Sequence, residues 1–170
     1  MTTLLKKHQP AIDSHRRTLS IGRVLAPRWR RTDLARAVDT GDRVCEMQHA
    51  FCATGGIVTG DKFSQLLLLR SDQPISLLAR WIVHRRIVHF EWRGEIWLPL
   101  FQLDLAEMDV LPGVQKAIAE LRCVFDELEL TQWFARPNCW LYGRSPSEVV
   151  AADPMAVFDV ARADRFIAAG

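Results

Sequence analysis

Long apolar runs are missing from this chain: none exceeds four residues, the stretch at 66–69 being one example. A helix that crosses a bilayer needs roughly 18 to 20 such residues, so no membrane span is expected. Lys6 and Lys7 are not followed by the apolar stretch that a secretory signal requires. The expectation is a cytoplasmic protein. Cysteine is scarce, with Cys45, Cys52, Cys123 and Cys139 the four in 170 residues, too few for a disulfide framework. All four fall in stretches that read as buried helix or tight turn, and reduced thiols follow. No Gly-rich phosphate loop trails a strand-like run, and His84 and His89 lack a nucleophile and carboxylate at readable spacing. Cys45-x3-His49-x2-Cys52 offers three zinc-type ligands but not the two separated pairs of a closed site. The run Asp126-Glu127-x-Glu129 reads as a solvated helix face. The chain therefore reads as non-enzymatic, with no metal or cofactor.

What is present is a globular composition, 49% hydrophobic and 25% charged, sufficient for one packed core. The formal net charge of +2 conceals an asymmetry along the chain. Residues 1–32 hold eight lysines and arginines against Asp13 alone, residues 33–102 balance, and residues 103–170 carry a net charge of −5. A basic head suits phosphate backbone, whereas an acidic tail repels it and suits a protein partner. Three parts follow: a basic, partly disordered arm over 1–38, a helical region with a β-hairpin over 39–104, and a helical unit over 105–170.

Local patterns place the elements. Asp39-Thr40-Gly41-Asp42 offers an N-cap to a first helix that carries Val44, Met47 and Phe51 and stops at Gly55-Gly56. Thr59 caps a short second helix. Pro74 starts a third that runs to about Arg86, with Ile75, Leu78, Ala79 and Ile82 as its inward stripe. Residues 87–92 and 95–101 flank Arg93-Gly94 and form a hairpin. Pro112-Gly113 opens a helix, Arg136-Pro137-Asn138 ends an acidic one, and Ser145-Pro146-Ser147-Glu148 and Asp153-Pro154 start two more. In the last, Val157, Val160 and Ala161 face inward. Of six tryptophans, Trp97, Trp133 and Trp140 read as core anchors, while Trp29 and Trp92 are the exposed candidates.

Two short helices followed by a hairpin have the order of a degenerate helix-turn-helix with a wing. In that arrangement Ser76, Arg80, His84 and Arg85 project from the third helix toward a duplex, aided by Arg28, Arg30 and Arg31 of the arm.

From about residue 57 the chain resembles the Xre/MbcA/ParS family of bacterial antitoxins. The resemblance rests on Pro74-Ile75-Ser76 through Trp81, on Trp97-Leu98-Pro99-Leu100-Phe101-Gln102-Leu103-Asp104, on Leu111-Pro112-Gly113 and Trp133-Phe134. It continues through Pro137-Asn138-x-Trp140-Leu141, Gly143-Arg144-Ser145-Pro146 and Asp153-Pro154. It covers about two-thirds of the chain and implies a mainly α fold with one β-hairpin: a degenerate winged helix-turn-helix followed by a small helical toxin-binding domain. It further implies neutralisation of a RES-type, NAD-consuming toxin, with Arg144, Arg162, Arg165 and Phe166 as partner-binding residues. A homodimer is expected because helix-turn-helix modules read paired half-sites and exposed apolar helices find one another. The alternative is a stand-alone DNA-binding regulator that uses the basic arm and residues 74–86.

Overall fold

A computed structural model describes residues 45–169; the arm residues Arg28, Arg30 and Arg31, Trp29 and the N-cap expected at 39–42 lie outside them. Helical turns at 45–50 (α1) bury Met47 and lead to Phe51, and after a 3-10 turn at Cys52–Thr54 the chain reverses at Gly55, whose φ of +99° suits a residue without a Cβ. Strand β1 (Ile57–Thr59) runs directly into α2 (Gly60–Leu67), capped by the Thr59 hydroxyl. Helix α3 (Pro74–Val83) follows with Pro74 in its first turn. Strands β2 (Phe90–Trp92) and β3 (Glu95–Pro99) form the expected hairpin. Arg93 and Gly94 have φ of +52° and +77°, the paired positive values whose twist matches that of the flanking strands.

The hairpin does not stand alone. β1 pairs antiparallel with β3 in the register Val58 opposite Leu98, giving a three-stranded sheet ordered β1-β3-β2. The short pair β4 (Leu103–Asp104) and β5 (Asp109–Val110) then turns the chain into α4 (Pro112–Leu121). Helix α5 (Glu127–Ala135) and the 3-10 turn Cys139–Leu141 follow, then α6 (Pro146–Val149) and α7 (Pro154–Ala169). The fold is mainly helical with a small antiparallel sheet. No helix among the described residues is long and apolar enough to cross a membrane.

One hydrophobic core runs from Met47 to Ala161, and the segments on either side of residue 104 both contribute to it. Phe101 stacks on Phe51 at 5.3 Å and packs against Phe134 at 5.0 Å, tying α1, the sheet and α5 together. α4 and α7 form the most extensive helix pairing, with Val114, Ala117, Ile118 and Leu121 against Val157, Val160 and Ala161.

Helix α3 departs from its expected stripe. Leu78 and Trp81 are buried, but Ala79 is exposed, Ile75 keeps 74% of its surface in solvent and Ile82 is half-buried. The helix is rolled by about one residue, roughly 100°. The reason is size: a buried indole removes on the order of 150–250 Å² from water, more than any one residue of the expected stripe can. Inside the sheet junction the amide of Gln102 is fully buried. Its Oε1 accepts from Val88 N at 2.8 Å, and its Nε2 donates to Val88 O at 3.0 Å and Pro99 O at 2.8 Å.

Candidate functional site

The C-terminal end of the fold is built by caps. Asp126 and Glu129 form a reciprocal capping box that starts α5, and Ser145 and Glu148 form another that starts α6. The acidic run at 126–129, expected to be a solvated face, thus fixes a helix start. Between the two helices, Asn138 Oδ1 accepts from Trp140 N at 2.9 Å, and Arg144 Nη2 donates to Glu148 O at 2.7 Å. Asp153 caps α7 through Ala156 N at 3.0 Å. The last two helices are thus each started by a side chain that stands immediately before a proline, Ser145 before Pro146 and Asp153 before Pro154.

Near its far end, α7 is tied down by Asp164, whose Oδ2 accepts from Trp133 Nε1 at 2.7 Å and Asn138 Nδ2 at 3.4 Å. Arg165 Nη1 lies 2.8 Å from Glu120 Oε2 on α4. Beyond these ties Phe166 and Ile167 are exposed by 82% and 69%. Arg162, also exposed, stands 5.8 Å over the Phe158 ring. The 3-10 turn at Cys139–Leu141 packs against the same helix. From it and the residue after it, Trp140 and Tyr142 present 66% and 98% of their surface to solvent.

Of the four residues that the resemblance marks for a partner, the structure leaves Arg162 and Phe166 open, holds Arg165 in an ion pair and holds Arg144 on a helix-end carbonyl. Trp140 is not a core anchor: Phe134 fills the interior, and the half-buried Trp133 packs edge-on against it with ring centroids 4.9 Å apart. Sequence reasoning missed Trp140 and Tyr142 as surface groups. The signal was the turn that Asn138 and Gly143 enclose, which lifts the residues between them off the core. The cysteines are corrected as well, since Cys45, Cys52, Cys123 and Cys139 are all exposed. They sit on the polar sides of their turns while neighbours such as Met47, Phe51 and Leu141 take the interior. His49 Nδ1 is 3.3 Å from Cys45 O. Among the described residues no group of three or more His, Cys, Asp and Glu is placed to hold a metal ion.

On α3, Ser76, Arg80 and His84 are exposed, as a duplex-facing row requires, with Ile75 and Val83 among them. Arg85 is placed elsewhere. It adopts a φ of +49°, its guanidinium donates to Arg122 O at 2.9 Å and Phe125 O at 3.3 Å, and it pairs with Glu127. Its side chain ties the end of α3 to the α4–α5 connection, so it does not extend the Ser76–Arg80 row.

The same corner holds His89, half-buried, with Nδ1 3.8 Å from Glu127 Oε2. Burial holds its pKa below the usual 6.5, against the pull of Glu127 and Glu91 and with help from Arg85. A depressed histidine pKa means that the unfolded chain binds the proton more readily, so the fold loses stability as pH falls from 6.5 toward the native value. We expect the melting temperature to drop between about pH 7.5 and 5.5, and the drop to shrink in His89→Gln. An identical pH profile in the variant would rule out this origin. Glu148, whose pKa is lowered by hydrogen bonds from the Ser145 amide and hydroxyl, adds a similar loss only below 4.5.

No protein-family model matches the chain, no curated protein matches it, and no solved structure matches it. The functional reading therefore rests on the surface at the end of α7 and on the exposed face of α3.

Proposed function

We propose that the chain is a cytoplasmic, non-enzymatic antitoxin-like protein that binds and neutralises a RES-type, NAD-consuming toxin through its C-terminal helical unit, as a homodimer. The observation that carries the reading is the end of α7: a rigidly tied helix presenting Phe166, Ile167 and Arg162, with Trp140 and Tyr142 on the turn packed against it. Large aromatic and arginine side chains held on well-packed elements are the groups that dominate protein–protein affinity. The basic group and the ring at the tip suit a cleft that takes a dinucleotide, with a cation for phosphate and an apolar wall for the ring.

A chain ending at Arg165 tests this, because it keeps Asp164 and the Arg165–Glu120 pair and removes only the exposed tip. Purified from its host at about 0.3 M salt, the intact chain should retain a small protein that consumes NAD when freed. The shortened chain should lose at least about 30-fold in affinity, the value of a 2 kcal/mol hot spot. Equal retention of that protein by both chains would reject the C-terminal mechanism.

A second reading has its own support. The order α1-β1-α2-α3-β2-β3 with β1 on β3 is what a winged helix-turn-helix reading calls for, and Ser76 and Arg80 are exposed on α3. Duplex binding through about six phosphate contacts would weaken by orders of magnitude between low and moderate salt, and Arg80→Glu would weaken it further. Salt-independent association would count against it.

A further inference from the structure

The roll of α3 leaves its aliphatic side facing outward, where it forms one wall of an open groove of about 420 Å³. The start of α2 and the turn between β2 and β3 form the others. The floor is aliphatic, with Ile75, Leu78, Ala79, Ile82 and Ile96, while Asp61 and Glu95 are the charged groups that line it. A groove of this kind is complementary to an aliphatic segment carrying cations. The sequence holds one at residues 21–31, where Ile21, Val24 and Leu25 stand close to Arg23, Arg28 and Arg30 in the most basic part of the chain.

We propose that residues 21–31 dock in this groove of the same molecule. Thirteen residues, 32–44, join the segment to the first described residue, and fully extended they span about 43 Å. A folded body of this size has a radius of gyration of about 14 Å, so a tether of that length reaches across most of its surface. Tethering supplies an effective concentration in the millimolar range, so a modest aliphatic and ionic contact suffices. The docked segment lies over Ile75 and Ala79, next to Ser76 and Arg80, and so competes with any ligand that approaches α3. The inference is independent of the surface at the end of α7.

Hydrogen exchange on the full-length chain, read by mass spectrometry, tests it. Peptides covering 21–31 should exchange at least about tenfold more slowly than an unstructured chain, with no dependence on protein concentration. The protection should vanish in Asp61→Lys/Glu95→Lys and return when Arg23→Glu/Arg28→Glu is added. Ile75→Glu, at a position exposed enough to spare the fold, should abolish it independently, with circular dichroism confirming helix content in each variant. Exchange at the unstructured rate, or protection that survives the groove substitutions, overturns the proposal. So does the absence of rescue by the arm substitutions. Protection that grows with concentration identifies the occupant as the arm of a second copy and overturns docking within one molecule.

Discussion

Gln102→Leu should lower the stability of the fold by about 3–6 kcal/mol, a figure built from three buried backbone groups that lose their partner at roughly 1–2 kcal/mol each. Leucine fills nearly the volume of the glutamine, so the loss reports hydrogen bonds rather than a cavity. Val88 N, Val88 O and Pro99 O all look to this amide, and the side chain is 0% exposed, so water cannot replace it. Val88 lies in the connection from α3 to β2, and Pro99 ends β3. The glutamine therefore gives the non-strand residues before β2 the pairing that a longer strand would have provided. A domain of this size is stable by only about 5–15 kcal/mol, so the loss removes from about a fifth to the whole of its margin. Urea unfolding measures the change, and a loss under about 1 kcal/mol would show that the three groups find other partners.

Gly113→Val should separate α4 from α7, and Gly113→Ala should do so more mildly. The backbone at Gly113 is ordinary helix, so the requirement for glycine here is one of space. A Cβ at this position would meet Pro154 Cβ at 2.7 Å and Val150 Cγ2 at 3.0 Å. Neither neighbour yields cheaply, because a proline ring at a helix start has no other rotamer. Overpacking of this sort costs about 1–3 kcal/mol, more for valine, against at most about 1 kcal/mol of helix propensity gained. The damage should extend beyond stability. α7 carries Asp164, Arg165 and Phe166, so displacing its first turn shifts the surface at its other end, and partner affinity should fall in step with the melting temperature. A Gly113→Val protein that melts at the unaltered temperature would show that α7 slides without loss.

The elements most legible from sequence were those fixed by local chemistry. Arg93-Gly94 gives its hairpin, Thr59 caps α2, Pro74 starts α3, and Ser145 with Glu148 starts α6, because each depends on groups within four residues of one another. The pairing of β1 with β3 was not legible, since a three-residue strand carries almost no period and its partner lies 40 residues on. Nor was the rotation of α3, which is decided by competition among Ile75, Leu78, Trp81 and Ile82 for a core that other segments complete. The candidate site shows the same division. Phe166 and Arg162 lie on the last helix, whose start Asp153-Pro154 announces. The ties of Arg85 to residues 122–127, and of Asp164 to Trp133, join groups 31 or more residues apart, and no spacing in the chain announces them. Trp140 was misread because apolarity was taken for burial, while the enclosing turn decides which way its ring points.

Four exposed thiols on one small protein carry a consequence for how its assembly is measured. A surface cysteine oxidises readily in air, and two molecules that collide can be joined through any of the possible sulfur pairs. A concentrated sample without reductant will therefore accumulate covalent dimers and a ladder of larger species whose geometry is set by chance collisions rather than by packed surfaces. A self-association held by packed surfaces persists in reductant and in a protein with Cys45, Cys52, Cys123 and Cys139 all replaced by serine, with a dissociation constant unchanged between the two.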